Sequence, residues 1–157
     1  MAAGKTGKRY KTLWRILFAA YLILLFYFLF FSEGLGRRPM EGEYRYNLTL
    51  FREIRRYMEH HEQLGIKSVL LNVPGNVLAF LPFGFCWPLL WERRATGFVT
   101  TLCAFSLSLL VEITQLMFKL GSFDVDDLLL NTLGGFLGYL VCILCNKTKR
   151  KRTKKET

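Results

Sequence analysis

Apolar residues fall into four long runs, at 13–31, roughly 69–91, roughly 97–118 and roughly 127–145, separated by polar or charged stretches. A helix rises 1.5 Å per residue, so about 20 mostly apolar residues cross about 30 Å of hydrocarbon. Each run meets that length, which predicts an all-α integral membrane helical bundle of about four transmembrane helices. The second run is the weakest, because Asn72, Pro74, Gly75, Asn76, Pro82 and Gly84 interrupt it. A kinked helix and a partly re-entrant one are both open there, the latter only where other helices cover its backbone.

A different pattern marks the stretch 32–68 between the first two runs. Leu50, Phe51, Ile54, Tyr57, Met58 and His61 recur three and four residues apart, while Arg52, Glu53, Arg55, Arg56, Glu59 and Glu62 fill the other faces. The pattern predicts an amphipathic helix in the outer membrane interface, with docking onto the bundle as the alternative. Gly65 after Leu64 supplies its stop. His60 and His61 fall on the solvated side without the spacing of a metal pair. Asn47, Leu48 and Thr49 match a glycosylation sequon, a short pattern with meaning only where that modification occurs.

Composition agrees with a bilayer, since 52% hydrophobic and 15% aromatic residues exceed what one water-soluble core of 157 residues needs. The net charge of +10 raises the question of nucleic acid, yet twelve of the 22 Lys and Arg lie in 5–15 and 147–155. Charge there flanks apolar runs and forms no binding face, so no nucleic-acid partner is expected. Basic residues near span ends tend to stay in the cytoplasm. With four spans, the basic amino end 1–12 (Lys5, Lys8, Arg9, Lys11), the short loop with Arg93 and Arg94, and the basic tail 147–157 all share one side. Loop 119–126, with one Lys against two acids, suits the other. Both ends are therefore expected in the cytoplasm of a multi-pass cell-membrane protein, with 32–68 outside. The run at 13–31 is too long for a secretory signal and no small-residue cleavage site follows it, so it reads as a retained anchor. Each Lys or Arg of the tail beside anionic lipid contributes about 1 kcal/mol, which makes membrane lipids expected partners. Cys86, Cys103, Cys142 and Cys145 lie in or at the ends of apolar segments, and Cys142 with Cys145 has no second pair. Neither a disulfide nor a metal site is predicted, and no cofactor is called for.

Three polar clusters interrupt this apolar frame, and the four-span topology puts them at one depth. Asn72 and Asn76 stand four apart at the entrance to the second span, and Glu112 and Gln115 share a face near the end of the third. Asp124, Asp126 and Asp127 lead into Asn131 at the start of the fourth. A charge at mid-bilayer costs about 2.5–3.5 kcal/mol on insertion scales, so Glu112 should face protein or water. The set Asn72, Asn76, Glu112, Gln115, Asp124, Asp127 and Asn131 is the candidate ligand-binding pocket. Pairing of a buried Glu112 with Lys119 is the purely structural alternative. The aspartates could hold a divalent cation through oxygen, but Asp126 and Asp127 as caps of the fourth span is the preferred reading. Gly134 and Gly138 have the small-xxx-small spacing of helix packing, which would press Asn131 and Asp127 against the other polar helices.

These residues resemble the VanZ-like family of small membrane proteins, several members of which are linked to resistance against teicoplanin, a lipid-bearing glycopeptide. The marks are Asn47, Leu48 and Phe51, then Asn76, Phe80, Pro82, Phe83 and Gly84, then Glu112 with Gln115. Gly121, Asp124, Asp127, Asn131, Thr132 and Gly138 complete them. Residues 69–146 then read as a VanZ-like three-helix membrane core. Ser122 stands where the family often has Arg, and Leu50 where Pro is common. The resemblance implies an architecture and a phenotype class, with no reaction and no catalytic residue carried over.

Two functions follow. The first is a cell-envelope protein that binds or shields an extracytoplasmic amphiphile, a lipid-linked wall precursor or a lipoglycopeptide, in a cleft with apolar walls and a polar rim. The alternative is an intramembrane enzyme acting on a lipid carrier or envelope polymer through Glu112 and the aspartates. No Ser, Cys or His arrangement for a nucleophile supports it. Transport is disfavoured by the small number of spans and the lack of an inverted repeat.

Overall fold

The computed structural model describes residues 3–31, 44–91 and 95–153, with side chains at 11–30, 44–91 and 95–147. Residues 32–43 of the first loop, Arg93, Arg94, and the side chains of Lys5, Lys8, Arg9 and the tail beyond Lys147 lie outside that description. The elements in order are α1 (Ala3–Phe31), β1 (Tyr46–Asn47), α2 (Arg52–Glu59), α3 (His61–Leu64), α4 (Ile66–Asn72) and α5 (Pro74–Trp91). Then come α6 (Gly97–Met117), β2 (Phe123–Asp124) and α7 (Val125–Thr153). Lys11–Phe30, Ile66–Trp91, Gly97–Met117 and Val125–Lys147 are long and apolar enough to cross a membrane. The protein is an all-α membrane bundle with an amphipathic helix at one end.

The second span consists of α4 and α5, and its interruption sits at one place. Pro74 has no N–H to give the Leu70 carbonyl, so the helix breaks at Val73, between Asn72 and Pro74. Pro74 then opens α5 in the first turn, where a missing N–H loses no helix bond. Pro82 and Pro88 lie inside α5, which still runs on to Trp91. The run is a helix with one break.

The most extensive interface joins α5 to α7, followed by that of α6 with α7. Glycines make it close. A methyl group at Gly84 would overlap the carbonyl of Gly135, one at Gly134 that of Val77, and one at Gly138 that of Leu81. Backbones this near require residues without side chains. α1 packs against α5 through Phe18, Leu25 and Leu29, and the Tyr21 hydroxyl donates to the Ala79 carbonyl at 2.7 Å. Beside Phe18 stands an aromatic cluster: its ring lies 5.7 Å from Phe83, 6.4 Å from Trp87 and 6.2 Å from Trp91. Trp87 and Trp91 stack at 4.1 Å.

The amphipathic helix is shorter than its period suggests. α2 ends at Glu59, and two further short helices, turning at His60 and at Gly65 (φ 80°), step down into the second span. Gly65 thus both ends α3 and starts α4. At the far end of α6 the amides of Lys119 and Leu120 fold back onto the Leu116 and Gln115 carbonyls at 3.1 and 2.9 Å, with Lys119 in the left-handed region (φ 54°). The chain then forms a feature the apolar pattern does not predict. β1 and β2 pair in parallel, Tyr46 opposite Phe123 and Asn47 opposite Asp124, which ties the segment before α2 to the entrance of α7.

Candidate functional site

The site grows from the strand pair. Asp124 ends β2 immediately before α7, and its Oδ1 accepts the Asp126 amide at 2.8 Å, capping the first turn of α7. The same oxygen accepts the Asn47 side-chain amide at 3.0 Å, across the strand pair. The backbone amide of Asp124 donates to Glu112 Oε2 at 2.9 Å. One residue thus joins α6, α7 and the segment before α2. Asn47 Oδ1 accepts the Thr49 amide at 3.1 Å and shapes the turn into α2.

Asp126 closes the arrangement. Only 1% exposed, it accepts the amides of Phe51, Glu53 and Ile54 at 2.5, 2.8 and 3.2 Å. Those are the donors that an α-helix leaves unsatisfied at its start. α2 has no side-chain cap of its own, since Phe51 at the cap position is apolar and sits at φ 63°. A carboxylate from α7 does that work and adds its charge to the positive end of the helix.

Asn76 at the start of α5 donates to Asp127 Oδ1 at 2.6 Å, joining the second and fourth spans. Glu112, Asn76, Asp124 and Asp127 therefore belong to one end of the bundle. Gln115 and Asn131 are equally buried but bonded elsewhere. The Gln115 amide donates to the Leu29 carbonyl at the end of α1 (2.9 Å), and the Asn131 amide to Ser108 Oγ (2.9 Å) one turn deeper in α7. Their Oδ1 and Oε1 atoms, with Thr100 Oγ1, have no protein partner. Asn72 turns back onto Ser68 of its own helix at 2.8 Å and does not join the network.

These placements change several assignments. Asp126 and Asp127 stand in the first turn of α7, where their charges suit the positive end of that helix as expected, but the Asp126 carboxylate bonds the amides of α2 and Asp124 supplies the side-chain cap of α7. The Lys119 ammonium lies 5.0 Å from the Tyr44 ring centroid. Asn47 is 6% exposed with both ends of its amide engaged, so the sequon is structural. The acidic oxygens face N–H donors, and among the described residues no three His, Cys, Asp or Glu converge as metal ligands. Burial pushes the Asp124 carboxyl above its usual range, against the opposing effect of the Asp126 amide and Asn47, with the charges of Asp126 and Glu53 adding to the rise.

Asn47 and Asp126 are the residues the pocket assignment misses. The sequence carries no sign of the second, because a helix starting at Leu50 would have Thr49 as its cap, whereas α2 starts at Arg52 with Phe51 at the cap position.

The VanZ/LLP1 family model matches residues 18–146. Protein VanZ of Enterococcus faecium is 38% identical over 73 residues, a stretch that is 46% of this chain and 44% of that protein. The shared region is thus less than half of that relative's length. No solved structure matches. With the family model covering most of the chain, from within the first span to the end of the fourth and including the polar network between them, the protein belongs to the VanZ/LLP1 family.

Proposed function

We propose that this protein is a cell-envelope component whose polar end faces outside the cell, where it binds or shields an amphiphile and lowers susceptibility to lipoglycopeptides of the teicoplanin type. The observation that carries the reading is the capping of α2 by Asp126. A buried carboxylate on a membrane span fixes the position of an amphipathic helix whose Leu50, Phe51 and Met58 remain about half exposed or more. Structure of that kind holds an apolar and charged surface in place at the headgroup level, which suits a ligand with a polar head and a lipid tail. Glu112, Asn76, Asp124 and Asp127 act as the frame of that surface. Membrane lipids, a lipid-linked wall precursor and the lipoglycopeptide itself are the ligands of matching chemistry.

Orientation rests on the basic residues, with both termini cytoplasmic. A membrane-impermeant maleimide should label Leu48→Cys in intact cells and leave Cys145 unlabelled until the membrane is opened. The reverse pattern would invert the topology. Function is tested by teicoplanin susceptibility in cells expressing wild type or Glu112→Ala at equal membrane abundance. Loss of protection in the variant is expected, and unchanged protection would remove the buried frame from the function. The enzymatic alternative has less support, because the acids it needs are engaged by backbone and side-chain amides.

A further inference from the structure

A groove of about 490 Å³ opens beside α2, walled by the Thr49–Phe51 turn on one side and by Arg52, Arg55 and Arg56 on the other. Three arginines and one acid, Glu59, are among its lining residues. Glu59 binds Arg55 at 2.6 Å, and Arg56 is paired with Glu53 at 2.5 Å. Arg52 is exposed and has no acidic partner among the described residues. The groove is therefore cationic.

Its other wall is apolar and held open against local preference. Phe51 keeps a φ of 63°, which an aromatic residue rarely adopts, while its side chain stays 56% exposed. Leu50 is 49% exposed beside it. Neither ring nor methyl groups gain burial inside the chain that would offset the strain. The Asp126 carboxylate holds the Phe51 amide and fixes the conformation. Strained, exposed residues kept in place by a buried network mark a surface shaped for something else.

Position identifies what that is. α2 is bound to the first turn of α7 and leads through α4 into the second span, so the groove lies where spans meet the headgroups. We infer that the groove binds the phosphate headgroup of an anionic phospholipid, with Arg52 and Arg55 on the phosphate and Leu50 and Phe51 against the upper acyl chain. A guanidinium fork matches phosphate oxygens in geometry as well as charge. The inference rests on the amphiphile reading above and names its ligand class.

The test uses the full chain in nanodiscs of phosphatidylcholine, doped with a phosphatidylglycerol probe bearing a photoreactive group high on one acyl chain. The same group on a phosphatidylcholine probe gives the comparison. Crosslinks are mapped by peptide mass. The basic tail, expected to attract anionic lipid at the far end of α7, serves as an internal control. In wild type, crosslinks within 49–60 favour the anionic probe. Arg52→Gln lowers that preference about fivefold, the factor corresponding to one basic side chain near the membrane, while tail crosslinks are unchanged. Equal labelling by the two probes, or a preference that survives Arg52→Gln, overturns the inference. So does loss of the signal on adding millimolar inorganic phosphate, which would assign the site to a free anion. If the preference is absent while Glu112→Ala still abolishes protection in cells, the lipid assignment fails and the amphiphile reading stands.

Discussion

The two ends of this bundle are held by different physics. At the aromatic end, Phe18, Phe83, Trp87 and Trp91 meet through rings, and nothing in their contacts requires one partner over a similar one. At the polar end, Asn47, Asn76, Glu112, Asp124, Asp126 and Asp127 meet through directed bonds, mostly to backbone amides. Lipid competes for rings as well as protein does, so the first end gains little beyond packing. An unpaired amide or carboxylate has no substitute in hydrocarbon, so the second end is specific. Shape at the aromatic end is interchangeable, whereas chemistry at the polar end is not.

The largest effect should come from the seam the ends share. Gly138→Leu drives a side chain into the Leu81 carbonyl and the Phe85 amide, and should cost about 3 kcal/mol, read as a collapse of the melting midpoint in detergent. A midpoint near that of wild type would mean α5 and α7 are not so closely joined. Next, Asp126→Ala strips three amides of their acceptor and should cost about 2 kcal/mol, with faster proteolysis within 49–60. Protease resistance equal to wild type would show that α2 is held by something other than this cap. Phe18→Leu, at the aromatic end, should cost about 1 kcal/mol and leave proteolysis of α2 unchanged. If it outweighs Asp126→Ala, the contrast between the ends is reversed.

The smallest effect is a pH slope. The folded-state pKa of Asp124 is raised above its ordinary 3.8, so the folded protein holds that proton more tightly than the unfolded chain. Its contribution is full below the unfolded value and is lost as pH rises through the folded one. Melts across the acid range should show stability falling with pH over that window, and Asp124→Asn should flatten this component while keeping an oxygen for Asn47 and the Asp126 amide. An unaltered slope in the variant would assign it to another group.

How much of this was legible follows the same division. The four spans could be read because stretches of about 20 mostly apolar residues state their own solution, and α2 could be read from its three- and four-residue period. The meeting of Glu112, Asn76, Asp124 and Asp127 at one end follows once the spans alternate in direction. What the pattern does not contain is the pairing of Asn47 with Asp124, 77 residues apart, or of Phe51 with Asp126, 75 apart. Neither residue has a local feature that names its partner. Asn72 shows the converse case: its spacing from Asn76 suggests a shared face, but the proline break at Pro74 separates the two helices, and its amide is satisfied by Ser68.

The long reach of Asp126 also sets an order of events. A ribosome releases α2 well before it makes the aspartate that completes its first turn, and two further membrane segments must be threaded in between. Until the final helix arrives, the exposed segment lacks the contact that gives it its shape. The finished surface is thus a report that assembly has run to the end, and a truncated or misinserted chain would not present it.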